Sequence, residues 1–263
     1  MPEARPANIP RPSPFTNLLD LAKTLQFAWF SGHVVVLLTS LFYFGSFRSK
    51  SQFHNGLYRL TYLGVLESFS IIIYQQHFKA KNQTLSIKAL AQDENVMYFA
   101  IALLWLLTPR FTLTMIPFII FSTFHFLTYM KSVLLPQVLQ WNDENRYVAL
   151  ITKFIRENND KSMVWSGSAE LLCLIAVIFR ALLWYPKSWL VLIIYSTFIK
   201  VRYEKSAYMR NCVKKWEVRA DGIVSSPSLP SSLKSGYVKF KETIKQLNKY
   251  KLLGGSTVPE KKQ

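Results

Sequence analysis

Residues 25–44, LQFAWFSGHVVVLLTSLFYF, carry no charged side chain over twenty positions. At about 1.5 Å per residue, a helix of that length covers the roughly 30 Å hydrocarbon core of a bilayer. A soluble domain of 263 residues could bury a good core without apolar runs this long. The stretch therefore predicts a transmembrane helix, Leu25–Phe44, and fixes the frame for the segments on either side.

Upstream, MPEARPANIPRPSP is proline-rich and lacks a charged region leading straight into an apolar core, so it does not read as a secretory signal. Residues 1–24 read as a disordered cytoplasmic arm. Downstream, the turn-like GSFRSKSQFHNG leads to a second span, Leu57–Phe78, with Arg59 able to snorkel and Glu67 placed mid-span. Val96–Met130 is apolar except for Thr108-Pro109-Arg110, which would sit near the bilayer centre of one straight helix. A hairpin fits better, with a short arm Val96–Thr108 and a longer arm Phe111–Met130. Val164–Leu183, the aromatic turn WYPKSW and Leu190–Ile199 repeat that shape, with Trp184, Tyr185 and Trp189 at headgroup depth.

Between the hairpins, residues 145–157 place Val148, Ile151, Phe154 and Ile155 on one helical face and Arg146, Lys153 and Arg156 elsewhere. This fits an interfacial helix, or equally a soluble connector packed on the rest. The expected class is an all-α polytopic membrane protein. It has about six membrane segments within residues 25–200, some of them short hairpin arms, followed by amphipathic C-terminal helices. Residues 201–221 read as a basic cytoplasmic helix, 222–232 as a linker, 233–253 as a basic amphipathic helix and 254–263 as a disordered end.

Six segments put both termini on one side. That side collects Arg5, Arg11, Lys23, Lys79, Lys81, Lys88, Lys131, Arg146, Lys153, Arg156, Lys161 and the tail; the other receives Arg48, Lys50, Arg110 and Lys187. The positive-inside rule makes the rich side cytoplasmic. The sequon Asn82-Gln83-Thr84 then faces the cytoplasm and stays unglycosylated.

No catalytic signature emerges. His33, His54, His77 and His125 have no metal-ligand spacing, Cys173 and Cys212 suggest neither a disulfide framework nor a metal site, and no cofactor loop is present. No cofactor is expected. The intramembrane polar residues Glu67, Glu170 and Arg180 offer a structural pair, for instance Glu67 with Arg180. They also carry the alternative reading, a small channel, transporter or membrane enzyme.

The net charge of +17 is concentrated toward the tail. At 100° per residue, Leu233, Tyr237, Phe240, Ile244 and Leu247 form a stripe about 80° wide, while Lys234, Lys239, Lys241, Lys245 and Lys249 fan across the rest. A narrow apolar stripe with a broad basic face suits an anionic leaflet, each lysine adding on the order of 1 kcal/mol. A nucleic-acid arm seldom needs so regular a stripe, and no nucleic-acid partner is expected. The run also fits a plain solvated basic tail, a docking helix for a partner protein, or a segment read by a nuclear import receptor.

LAKTLQFAWFSGH (Leu21–His33), LYRLTYLGVLESFSIIIYQ (Leu57–Gln75), the short-armed hairpin and FIRENNDKSMVWSGSAELL (Phe154–Leu172) together resemble the transmembrane protein 33 family, also called the Krüppel-homologue-2 family. The likeness is strongest to its fungal branch and covers about residues 15–220. It implies residence in the endoplasmic reticulum and nuclear envelope, contact with reticulon-type shaping proteins and nucleoporins, and roles in membrane curvature and in nuclear pore distribution or assembly. A curvature-sensing basic amphipathic helix at the C-terminus is implied too. No enzyme activity and no site residues come with it.

Overall fold

The computed structural model describes residues 13–46, 51–79 and 87–252. Every regular element among them is helical. The Asn82 sequon, the extreme N-terminal residues 1–12 and the end 253–263 lie outside the described residues.

Helix α1 (Pro14–Ala22) starts on the Ser13 cap, whose hydroxyl accepts from the Thr16 N–H, with Pro14 at the position where a missing N–H costs nothing. It lies within the arm that the sequence reading leaves disordered, and Asn17 ties it to the Gln137 carbonyl at 2.8 Å. Thr24 caps α2 (Leu25–Gly45) and Ser51 caps α3 (Gln52–Ile73), which runs on through a wide π-turn to Phe78. The short α4 (Ile87–Gln92) precedes α5 (Glu94–Leu107), capped by Asp93 and stopped ahead of Pro109. A 3₁₀ turn leads into α6 (Met115–Tyr129), then a π-turn (Met130–Leu134) and the one-turn α7 (Leu135–Val138). Pro136 cannot donate to the carbonyl four residues back, and the turn ahead of it widens accordingly.

Asn145 caps α8 (Arg146–Leu182), a single helix of 37 residues, about 55 Å long. The interfacial helix expected at 145–157 and the separate arm expected at Val164–Leu183 are therefore one rod. The intervening Glu157–Lys161 is polar, but it holds no Gly or Pro to break it. A turn with Trp184 and Lys187 in the left-handed region joins α8 to α9 (Ser188–Lys205). Ser206 caps α10 (Ala207–Val224), and α11 (Ser231–Lys249) ends four residues earlier than the expected 253.

Among the described residues, four helical segments are long and apolar enough to cross a membrane: 25–45, 52–78, 112–138 and 146–182. α5 is a shorter apolar helix, and α9 carries the apolar run Leu190–Ile199. The chain is thus an all-helical polytopic membrane protein.

α2 and α3 form the tightest pair. They run antiparallel, with Thr39 and Thr61 hydroxyls 2.8 Å apart and Ser68 donating to the Trp29 carbonyl at 3.3 Å. Gly32 and Gly64 face each other so closely that a β-carbon on either would sit 2.8 Å from the other's carbonyl oxygen. The contact uses Gly64-x-x-x-Ser68 on α3 against Gly32 on α2, a single crossing rather than a repeat. The main core joins α2, α3, α5, α6, α8, α9 and α10 around Tyr62, Trp105, Met115, Cys173, Tyr195 and Met209. A smaller aromatic cluster around Phe30 and Tyr129 binds α1, α2 and the end of α6.

Candidate membrane-facing site

α10 and α11 make a helical hairpin. The Pro- and Ser-rich linker turns the chain back, and α11 returns along α10 toward the base of α9, where Lys200 reaches Asn248 at 3.0 Å and Glu204 accepts from the Leu252 N–H at 3.1 Å. α10 is anchored in turn on α8. The Cys212 thiol donates to the Val164 carbonyl, its sulfur lies 3.0 Å from the β-carbon position of Gly167, and Tyr208 donates to Asp160 at 2.8 Å.

A clasp centred on Asp221 holds the hairpin. Lys241 reaches both its carboxylate oxygens, at 2.9 and 2.8 Å, and lies 2.7 Å from Glu217; Tyr237 donates to the same Asp221 at 2.8 Å. The hydrogen bonds from Lys241 and Tyr237 hold the Asp221 carboxyl below the usual carboxylate range, and Asp221 and Glu217 push the Lys241 ammonium up.

This geometry divides the residues singled out from the sequence. Leu233, Phe240, Ile244 and Leu247 lie together on an exposed stripe, with Phe240 61% exposed. Lys239, Lys245 and Lys249 are exposed beside it, and Lys234 is half-buried. Tyr237 and Lys241 are turned to α10 instead. The helical wheel has no term for a neighbouring helix, so it groups Tyr237 with the stripe and Lys241 with the free cations. Asp221 and Glu217, the only acids in the second half of α10, were the available signal.

The expected pair of Glu67 and Arg180 does not form. Glu67 is exposed and lies 3.4 Å from Ser31, near the start of α2. Arg180 sits at the opposite end of the bundle, where it donates to the Arg110 carbonyl at 3.4 Å and stacks over Phe111 and Tyr185, each ring centre 4.8 Å away. Arg110 itself bonds Asn55, and Asn55 to Glu67 spans about 18 Å of α3. The buried ion pair is Glu170 with Arg202, at 3.5 Å, and Arg202 also reaches Glu94 at 3.1 Å. Tyr98 donates to Glu170 at 2.7 Å and carries the Arg202 guanidinium over its ring. Arg202 escapes a span-by-span reading because it falls just past the last apolar arm, and α9 continues straight through that boundary. With partners on both carboxylate oxygens, the cluster has the form of a structural tie between α5, α8 and α9.

These features define a polytopic helical membrane protein that ends in a basic amphipathic hairpin. Residues 15–249 match the model of the Transmembrane protein 33/Nucleoporin POM33 family, and the chain belongs to that family. It is 43% identical to the pore membrane protein of 33 kDa of Saccharomyces cerevisiae, over 97% of this chain and 96% of the relative. It is 28% identical to nucleoporin POM33 of Chaetomium thermophilum, over 93% and 94%. It is also 28% identical to the pore and endoplasmic reticulum protein of 33 kDa of Saccharomyces cerevisiae, over 91% and 97%. No solved structure matches the chain.

Proposed function

We propose that this chain is a non-catalytic membrane-shaping and scaffold protein of the endoplasmic reticulum and nuclear pore membrane. Both termini face the cytoplasm. Four crossings or six give the same parity, so the lysine and arginine asymmetry reads the same way for either count. The helical hairpins hold the chain in the bilayer, and α11 adds a reversible wedge on the anionic cytoplasmic leaflet. The relatives' names, with their pore membrane and endoplasmic reticulum, support the location. Nucleoporins and reticulon-type proteins are the proposed partners, and an import receptor would read the same basic tail.

The observation that carries the wedge is the unpartnered stripe of Leu233, Phe240, Ile244 and Leu247 on a helix whose other side is docked. Burying four such side chains in part stabilises the bound state by a few kcal/mol, since full burial contributes about 1.5–3 kcal/mol each.

A spin label tests this in the full-length chain. Cys173 and Cys212 are both buried, so a cysteine introduced at Phe240 is labelled selectively. In vesicles containing phosphatidylserine the label should be shielded from water-soluble relaxants and exposed to oxygen. In neutral vesicles it should stay in water. Equal water exposure in both would remove the wedge from the proposal.

A further inference from the structure

A second basic surface lies apart from the tail. An open cleft of about 310 Å³ is lined by Lys131, Asp143, Ala149, Thr152, Lys153 and Arg156. Lys131 comes from the π-turn after α6, and the last four from the first turns of α8. Three cations from two elements thus converge on one space. By contrast, Lys200 meets Glu204, Arg202 meets Glu170 and Glu94, and Lys241 meets Asp221 and Glu217. Among the described residues no ion pair joins a carboxylate to Lys131, Lys153 or Arg156. Of the acids close in sequence, Asp160 accepts from Tyr208 and Glu144 from Asn142. The Thr152 hydroxyl donates to the Val148 carbonyl, so the free donors are the three cations alone.

The cleft sits at a telling height. From Thr112 to Lys131 are nineteen helical steps, about 28 Å, so a core entered at Thr112 ends at Lys131. Counting about 30 Å back along α8 from Leu182 reaches Ser162, which puts Arg156 and Lys153 in and just above the headgroup layer.

We propose that this cleft binds a phosphate monoester, carried by the headgroup of an anionic lipid. Two charges on the phosphate at neutral pH match the net charge of three cations and Asp143. A phosphodiester such as that of phosphatidylserine brings one phosphate charge and fills less of the cleft.

Native mass spectrometry on the full-length chain, carrying Phe240→Glu to silence the tail, tests the site. The probes are phosphatidylinositol 4-phosphate, phosphatidylinositol, phosphatidylserine and soluble inositol 1,4-bisphosphate. One molecule of the phosphorylated lipid should be retained per chain, in at least tenfold preference to phosphatidylinositol or phosphatidylserine. Lys131→Ala, Lys153→Ala and Arg156→Ala together should cut retention about a hundredfold. Asp143→Asn should raise it severalfold, a gain that misfolding cannot produce. If soluble bisphosphate displaces the lipid mole for mole, the source is a free phosphate in the same site; if the lipid holds, it is the headgroup. Loss of the preference for the phosphorylated lipid in the parent chain, or unchanged retention in the triple variant, overturns the proposal.

Discussion

The glycine crossing of α2 and α3 gives the sharpest stability prediction. A β-carbon at Gly64 meets the Gly32 carbonyl oxygen at 2.8 Å, and Val35 at 3.1 and 3.2 Å. One at Gly32 meets the Ser68 hydroxyl at 2.2 Å and the Gly64 carbonyl oxygen at 2.8 Å. The Ser68 hydroxyl could rotate away, but a helix carbonyl cannot, so the helices must move apart. Separation weakens the Thr39–Thr61 and Ser68–Trp29 hydrogen bonds together. Overpacking of this kind costs about 1–3 kcal/mol, and for a chain of this size each kcal/mol lowers Tm by about 2–4 °C. Gly64→Ala should thus lower the Tm of the detergent-solubilised chain by about 2–12 °C, followed through intrinsic tryptophan fluorescence. Both substitutions strain one contact, so Gly32→Ala added to Gly64→Ala should cost far less than the sum of the singles. Full additivity, or a Gly64→Ala chain as stable as the parent, would refute the argument. Gly236→Ala is the internal control. Nothing lies within 4 Å of its β-carbon position, and it should instead strengthen α11 by roughly 0.5–1 kcal/mol.

Arg202→Met leaves the buried Glu170 carboxyl without its cation and should destabilise the chain by about 3–5 kcal/mol, whereas Glu67→Gln on the exposed face should leave Tm nearly unchanged. Asp221→Ala opens the clasp, freeing Tyr237 and Lys241 for the lipid-facing side; vesicle binding of the tail should rise a few-fold, and spin labels on α10 and α11 should move apart. The Asp221 carboxyl is depressed in the folded chain, so the clasp's contribution is complete above the ordinary carboxylate pKa and is lost as pH falls through the lowered value. The same label pair should therefore separate only in acid.

The apolar runs are legible because their signal is local. Twenty uncharged residues announce a span whatever surrounds them, and Pro109 and Pro186 mark turns by their own covalent geometry. What a neighbouring element decides is not legible in this way. The continuity of α8 through Glu157–Lys161 depends on helix contacts on both flanks, and the ordering of Pro14–Ala22 depends on Asn17 reaching Gln137. The partner of a buried charge depends on which helices meet at one height, which is how Arg202, beyond the last apolar arm, displaces Arg180. For α11 the wheel identifies the exposed stripe of Leu233, Phe240, Ile244 and Leu247. The acids of α10, not the wheel, withdraw Tyr237 from it and Lys241 from the free cations.

The unbroken length of α8 ties distant parts of the molecule to one mast. The phosphate cleft near its start, the seat of α10 at Val164–Gly167 and the Glu170 cluster all share a single hydrogen-bonded rod with no hinge between them. If the bilayer thins or bends, the rod can answer only by tilting as a whole. A change in membrane thickness would then swing the C-terminal hairpin through an arc, converting a property of the lipid into a displacement of the tail.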